Sequence, residues 1–168
     1  MAGLYDSANR PADVRRMLDE VGVWGVGDLG QLAAYHDSLG TPLGLMAARA
    51  LRAEGNVAAA KAAARSVIAQ WPGYDPAYQL FVELAGESAI PELDGLAARD
   101  PFEERPLIWK AVAQIGAKQY AAAEENARRA IAIDPSDGEQ GVNDRMRAYA
   151  VLADALEGRG DQQAARGY

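Results

Sequence analysis

Four groups of residues in this 168-residue chain have types and spacings that could do chemistry. The most specific is Gly25-Val26-Gly27-Asp28-Leu29-Gly30, which fits the pattern G-x-G-x-x-G. It follows Val21-Gly22-Val23-Trp24, a run that could be a strand, and precedes a helix-like segment. Glycines in that order let a pyrophosphate approach the backbone at a helix N-terminus. A dinucleotide site would next need a strand ending in Asp or Glu. Thr41 to Leu51 instead reads as another helix, and no further strands follow. The segment therefore reads as a Gly-rich loop between helices, and a nucleotide-binding enzyme using residues 25–30 is the weakest alternative.

The second group is His36, the only histidine, with no second imidazole to complete a metal site. The third is the acid pairs Glu103-Glu104 and Glu124-Glu125, candidates for general acid–base work. Adjacent helix residues point in different directions, so neither pair converges. These acids read as solvated charges or as partners of the helix dipole. There is no Cys, no nucleophile elbow, no P-loop and no Ser-His-Asp arrangement. The expectation is a non-enzyme with no catalytic residues, no cofactor and no metal. The fourth group is the aromatics Trp71, Tyr74, Tyr78, Phe81 and Trp109. Trp109 reads as core, and Tyr74, Tyr78 and Phe81 as candidates for a binding face.

Charge narrows the partners. The formal net charge is −7, with acids and bases interspersed. Nucleic-acid modules show a basic face, and interfacial membrane helices are usually basic on their polar side. Neither pattern is present, and no segment is apolar for long enough to span a bilayer. We expect a soluble protein with no nucleic-acid binding and no membrane insertion. The beginning, Met1 to Asp6, lacks the basic and apolar regions of a leader. A cytoplasmic location is expected, or a periplasmic one if a leader has been removed.

The elements that would position these residues are helices. Alanine dominates, in runs such as Ala58-Ala59-Ala60-Lys61-Ala62-Ala63-Ala64 and Tyr120-Ala121-Ala122-Ala123. It is the best helix former and lets neighbouring helices approach closely. Breakers recur at Gly40-Thr41-Pro42, Gly55-Asn56, Trp71-Pro72-Gly73, Ile90-Pro91, Asp100-Pro101, Arg105-Pro106, Asp134-Pro135-Ser136 and Gly158-Arg159-Gly160-Asp161. Between them the pattern predicts helices over 11–21, 28–39, 42–54, 57–71, 75–86, 90–99, 106–116, 119–133, 145–157 and 161 onward. Segments of about 10–15 residues are marginal alone, so each must bury a face against its neighbours. Short loops make successive helices antiparallel hairpins.

Three stretches can be laid over one another. One runs from Leu43 through Ala48, Gly55-Asn56, Ala60 and Pro72. The second runs from Leu107 through Ala111, Gly116, Tyr120, Ala123 and Asp134-Pro135. The third holds Tyr149, Leu152, Ala153, Leu156, Gly160-Asp161 and Ala165. This resembles the tetratricopeptide repeat, whose unit of about 34 residues is a helix–turn–helix. Ala48, Ala111 and Ala153 match the small position where the two helices cross, and Ala60, Ala123 and Ala165 match its counterpart on the second helix. Pro72 and Pro135 match the closing proline. Asp75 to Asp100 reads as a degenerate repeat between the first two matches. Three departures stand out. Gly44 occupies a place that prefers a large aromatic, Lys110 replaces a leucine, and the turn Gly116-Ala117-Lys118-Gln119-Tyr120 shifts its glycine.

The resemblance implies an all-α fold, an α-solenoid of about five antiparallel hairpins in a right-handed superhelix. Residues 1–40 would form a divergent N-terminal hairpin, with repeats over 41–74, 75–103 (degenerate), 104–138 and 146–168 (incomplete). It implies a protein-interaction module, an adaptor or scaffold in a bacterial-type assembly, that takes a peptide or helix of a protein partner in its concave groove. Transferring the register puts Leu45, Arg49 and Arg52, Tyr78 and Phe81 or Val82, Arg105, Ile108 and Val112, and Arg147, Ala150 and Asp154 on that face. Arginine there suits an acidic or C-terminal segment, because its planar fork donates two parallel hydrogen bonds to a carboxylate. The lysine and asparagine clamp of chaperone-binding relatives is not implied, since Leu45 and Arg49 stand at its positions. The alternative is self-assembly as a homo-oligomer through the C-terminal end, where another copy would cover an open Leu152–Leu156 face.

Overall fold

The structure, a computed structural model, describes residues 10–20, 29–133 and 142–168. Its helices are α1 (Pro11–Glu20), α2 (Leu29–Leu32), α3 (Leu43–Ala53), α4 (Val57–Gln70), α5 (Asp75–Ala85), α6 (Ile90–Arg99), α7 (Arg105–Gly116), α8 (Tyr120–Ile133), α9 (Val142–Gly158) and α10 (Gln162–Ala165). A 3-10 turn over Gly86–Ala89 leads into α6. Among the described residues the one extended pairing is an isolated bridge between His36 and Pro42. The fold is thus all-α, built of successive helices joined by short turns. No helix among the described residues is long and apolar enough to cross a membrane. The chain divides into two compact units, Met1–Leu84 and Ala85–Tyr168.

In the first unit α3 and α4 form a hairpin, and α1 and α2 also pack on α3. Leu45, Met46, Ala47 and Ala48 are all 0 % exposed, as are Ala60, Ala63, Ala64 and Val67 on α4. Val14 and Leu18 of α1 and Leu32 of α2 join Met46, Ala47 and Ala50 in one cluster. Each of the larger side chains, Val14, Leu18, Leu32 and Met46, contributes roughly 1.5–3 kcal/mol before the entropy of ordering is subtracted.

The helix expected over 28–39 ends at Leu32, and the reason lies in hydrogen bonds that compete with it. Trp71 Nε1 donates to the Ala33 carbonyl at 2.6 Å, taking an acceptor that a longer helix would need. Asp37 Oδ1 accepts from the backbone N–H groups of Leu39 and Thr41, at 2.9 and 2.8 Å. Such side-chain capture of the backbone favours turns over helix. Gly44 explains the missing aromatic. A Cβ built there would lie 2.8 Å from Val67 Cγ2 and 3.1 Å from the Ala33 Cα, so the chain following α2 already fills the space.

The second unit packs α7, α8 and α9 around Leu107, Ile108, Ala111, Ala123, Ala127, Ala130, Leu152, Ala155 and Leu156. Lys110, at the leucine position, reaches out of α7 to Asp94 of α6, with Nζ 2.5 Å from Oδ1. The apolar face expected to lie open at Leu152–Leu156 is covered. These residues are 0 % and 2 % exposed, Ala165 of α10 joins their cluster, and the Tyr168 ring stacks on Tyr149 at 6.0 Å.

The shifted glycine also finds its register. In each of three hairpins the first helix ends with the same long backbone bond. Asn56 N–H donates to Leu51 O, Gln119 N–H to Gln114 O and Asp161 N–H to Leu156 O, at 2.9, 2.8 and 2.9 Å. The residue before each donor takes positive φ: +81° at Gly55, +59° at Lys118 and +86° at Gly160. Lys118 therefore stands in the left-handed position that glycine fills in the other two turns. Asn56 and Asp161 then cap the following helices through Ala59 and Ala164 N–H.

This packing fixes how substitutions at its turns and crossings change stability. Lys118→Gly should stabilise the protein by about 0.5–1 kcal/mol in urea unfolding, because relief of left-handed strain exceeds the added chain entropy. Gly160→Ala should lower stability by about 1–2 kcal/mol. Gly44→Leu should lower it by about 1–3 kcal/mol, since the Ala33 backbone cannot yield, whereas Gly95→Ala, mid-helix with nothing within 4 Å of its Cβ, should raise it. Finally, the hydrogen bond and charge of Lys110 hold Asp94 below its ordinary carboxylate range. A depressed carboxyl contributes stability above its unfolded pKa of about 4 and loses it as pH falls through the folded value. A double-mutant cycle of Asp94→Asn with Lys110→Met should give a coupling of about 0.2–1 kcal/mol at pH 7, fading as pH falls through the depressed folded value of Asp94.

Candidate partner-binding site

α3 is enclosed so completely that its exposed surface reduces to Arg49, Arg52 and Ala53. Residues three or four apart share a helix face, so these form a single stripe. The start of α1 supplies a stripe beside it, Pro11 and Val14 with Arg10 just before the helix, and the two line an open hollow of about 400 Å³ with Ala50. On the other side α5 supplies Pro76, Gln79, Leu80 and Glu83, again at helical spacing. With Arg49 and Arg52 these line a second hollow of about 300 Å³. The two arginines of α3 thus stand on the wall common to both hollows, and both hollows lie within the first unit.

The charges are arranged unevenly. Arg10 and Arg16 share Asp13 at 2.7 and 2.8 Å, and Arg15 reaches Glu54 at 2.9 Å. Arg52 Nη1 lies 2.6 Å from Glu83 Oε2, and Gln79 Nε2 donates to Glu83 Oε1 at 2.9 Å. The Arg52 and Glu83 side chains remain 52 % and 43 % exposed. The guanidinium groups of Arg10, Arg49 and Arg52 rim the first hollow over a floor of Pro11, Val14, Ala50 and Ala53. Such a surface offers paired hydrogen bonds to carboxylates and apolar contact to the intervening chain.

The residues expected on a binding face separate into two groups. Arg49 and Arg52 line the hollows. Leu45, Tyr78, Phe81 and Ile108 are at most 1 % exposed and Val82 is buried, so these side chains have no surface to offer a partner. The first helix of a hairpin is covered on more than one side, and the register taken from the repeat pattern crosses from open stripe to covered face within one turn. Phe81 lies instead beneath Arg65 of α4, whose guanidinium is 5.7 Å from the ring centre.

In the second unit Arg105 is held 2.6 Å from Glu103 and 3.5 Å from Glu104, with its side chain 13 % exposed. The Arg147 guanidinium lies 4.8 Å over the Trp109 ring, and Trp109 is buried as expected. Val112 packs at the edge of the core. Ala150 and Asp154 are exposed. Arg10, Pro11, Val14, Gln79 and Glu83 were not expected at a site. Their signal was available as the spacings 10–11–14 and 76–79–80–83, but only the pairing of α1 and α5 with α3 gives those stripes a common space. The glycine pattern falls at residues 25–28 outside the described residues, and Gly30 lies in α2.

No family profile matches the sequence, and no curated protein matches it. Solved structures do match by fold. One, titled MamA AMB-1, aligns with 98 % of this chain and 88 % of its own at 15 % identity, with a TM-score of 0.53. Another, titled MamA MSR-1, aligns with 98 % of this chain and 86 % of its own at 16 % identity, with a TM-score of 0.47. MamA is a tetratricopeptide-repeat protein, and the chain is similar to it in fold. That agrees with the repeat pattern legible at Ala48, Ala111 and Ala153 and at Ala60, Ala123 and Ala165.

Proposed function

We propose that this protein is a non-catalytic interaction module, an adaptor or scaffold, that receives an acidic segment of a protein partner along the α1–α3–α5 face. The observation that carries the reading is the placement of Arg49 and Arg52 on the wall between two hollows, with Arg10 on the far rim of one. An extended or helical segment lying across that wall brings its carboxylates to two guanidinium groups and its apolar atoms to Pro11 and Ala53. Repeats with the boundaries 41–74, 75–103, 104–138 and 146–168 after a divergent 1–40 hairpin belong to the same reading. Its support from relatives is that of fold: the similar MamA structure is built of repeats whose role in proteins generally is to bind other proteins.

A fluorescein-labelled hexaglutamate peptide is a direct probe. Fluorescence anisotropy should show it binding the full chain with an affinity that falls as salt rises. Arg49→Glu/Arg52→Glu should weaken binding about tenfold or more while leaving the circular dichroism spectrum and thermal midpoint near wild type, because both side chains are exposed. Equal affinity for wild type and double mutant would remove this face as the binding site.

A further inference from the structure

We infer that Glu83 is an internal competitor for the partner's acid, a specificity-determining residue that occupies the Arg52 guanidinium until a ligand displaces it. The inference rests on the proposed binding face and deepens it. Glu83 extends from α5 into the space that it lines together with Arg49 and Arg52. One carboxylate oxygen accepts from Arg52 Nη1 at 2.6 Å, the other from Gln79 Nε2 at 2.9 Å. Gln79 stands one turn earlier on the same helix and holds the carboxylate toward α3. The group thereby fills the position a ligand carboxylate needs in order to use the fork of Arg52.

The pair is able to open. Both side chains face water, and ion pairs of this kind are weak because solvent screens them and ordering two long side chains opposes them. A buried pair would have been a fixed strut; this one can exchange partners. After exchange the Glu83 charge remains beside the incoming carboxylate, so it disfavours a ligand by repulsion as well as by occupancy. Gln79 can keep its hydrogen bond to Glu83 throughout, which leaves the displaced carboxylate partly satisfied. The face therefore discriminates against stray anions and weakly acidic segments, and admits those whose several acids reach Arg49 and Arg52 together.

The test is Glu83→Gln in the full chain, a change that keeps side-chain shape and removes charge. Two probes of equal length, labelled hexaglutamate and labelled hexaglutamine, are titrated into wild type and variant. The expected result is hexaglutamate affinity raised about fivefold at low salt, the scale of one unit charge a few ångströms away in water, with the gain lost at high salt. Hexaglutamine binding should not change. Unchanged hexaglutamate affinity would overturn the role of Glu83 while leaving the binding face intact, provided Arg49→Glu/Arg52→Glu still weakens binding. A parallel gain for both probes would also overturn it, since that would report steric opening rather than charge. Absence of hexaglutamate binding to wild type and variant alike would remove the binding face, and this inference with it. A thermal melt of Glu83→Gln within a degree or two of wild type excludes a folding defect as the cause of any change.

Discussion

The close approach of α3 and α4 through buried alanines is the contact on which the first unit depends. A helix of this length does not persist alone in water, so its backbone hydrogen bonds survive only if a neighbour excludes water from one face. Ala48, Ala60, Ala63 and Ala64 are fully buried, and they allow that neighbour to come near without the rotamer cost of ordering larger side chains. The same device recurs in the second unit at Ala111, Ala123, Ala127 and Ala130. The turns then have to bring the second helix back at short range. They do so with a left-handed residue at Gly55, Lys118 and Gly160, each followed by the same backbone bond.

Enclosure of this kind decides what remains at the surface. When α1, α2 and α4 all lie against α3, the open part of that helix shrinks to a strip about one residue wide per turn. Long polar side chains are confined to that strip because there is no room for them elsewhere. Arginine at 49 and 52 is thus projected into the hollows that the neighbouring helices leave. The proposed binding face is in this sense a by-product of tight packing, and its character is set by the few residues that packing does not claim.

The first two of the three matching hairpins are not equivalent inside. Where the first hairpin places Leu51 and Ala63, the second places Gln114 and Asn126, both 5 % exposed. Asn126 Nδ2 donates to Gln114 Oε1 at 2.9 Å and to Ala122 O at 2.8 Å. A buried polar pair favours one register of α7 against α8, because sliding either helix would strand its donors. At the Ala33 crossing the first unit achieves the same end by shape, with Gly44 admitting backbone where a side chain would not fit. Charge tells a similar story. In the second unit Arg147 lies over Trp109 and Arg105 is held against Glu103, while Arg49 of the first unit is exposed.

By itself the amino-acid order determined the helices, most of their ends and the tetratricopeptide-like pattern. These are local properties: alanine runs, proline and glycine punctuation, and caps act within a few residues. It also placed Trp109 in the core and Arg49 and Arg52 on an open face. It misplaced Leu45, Tyr78, Phe81 and Ile108, since a periodic apolar stripe shows that a residue faces something without showing whether that is a neighbour or solvent. The early end of α2 likewise depends on Trp71, far away in the chain, taking the carbonyl of Ala33. Only tertiary structure decided that Arg10, Gln79 and Glu83 share space with Arg49 and Arg52. Their proximity arises from helices separated by long stretches of chain, and no spacing within any one helix encodes it.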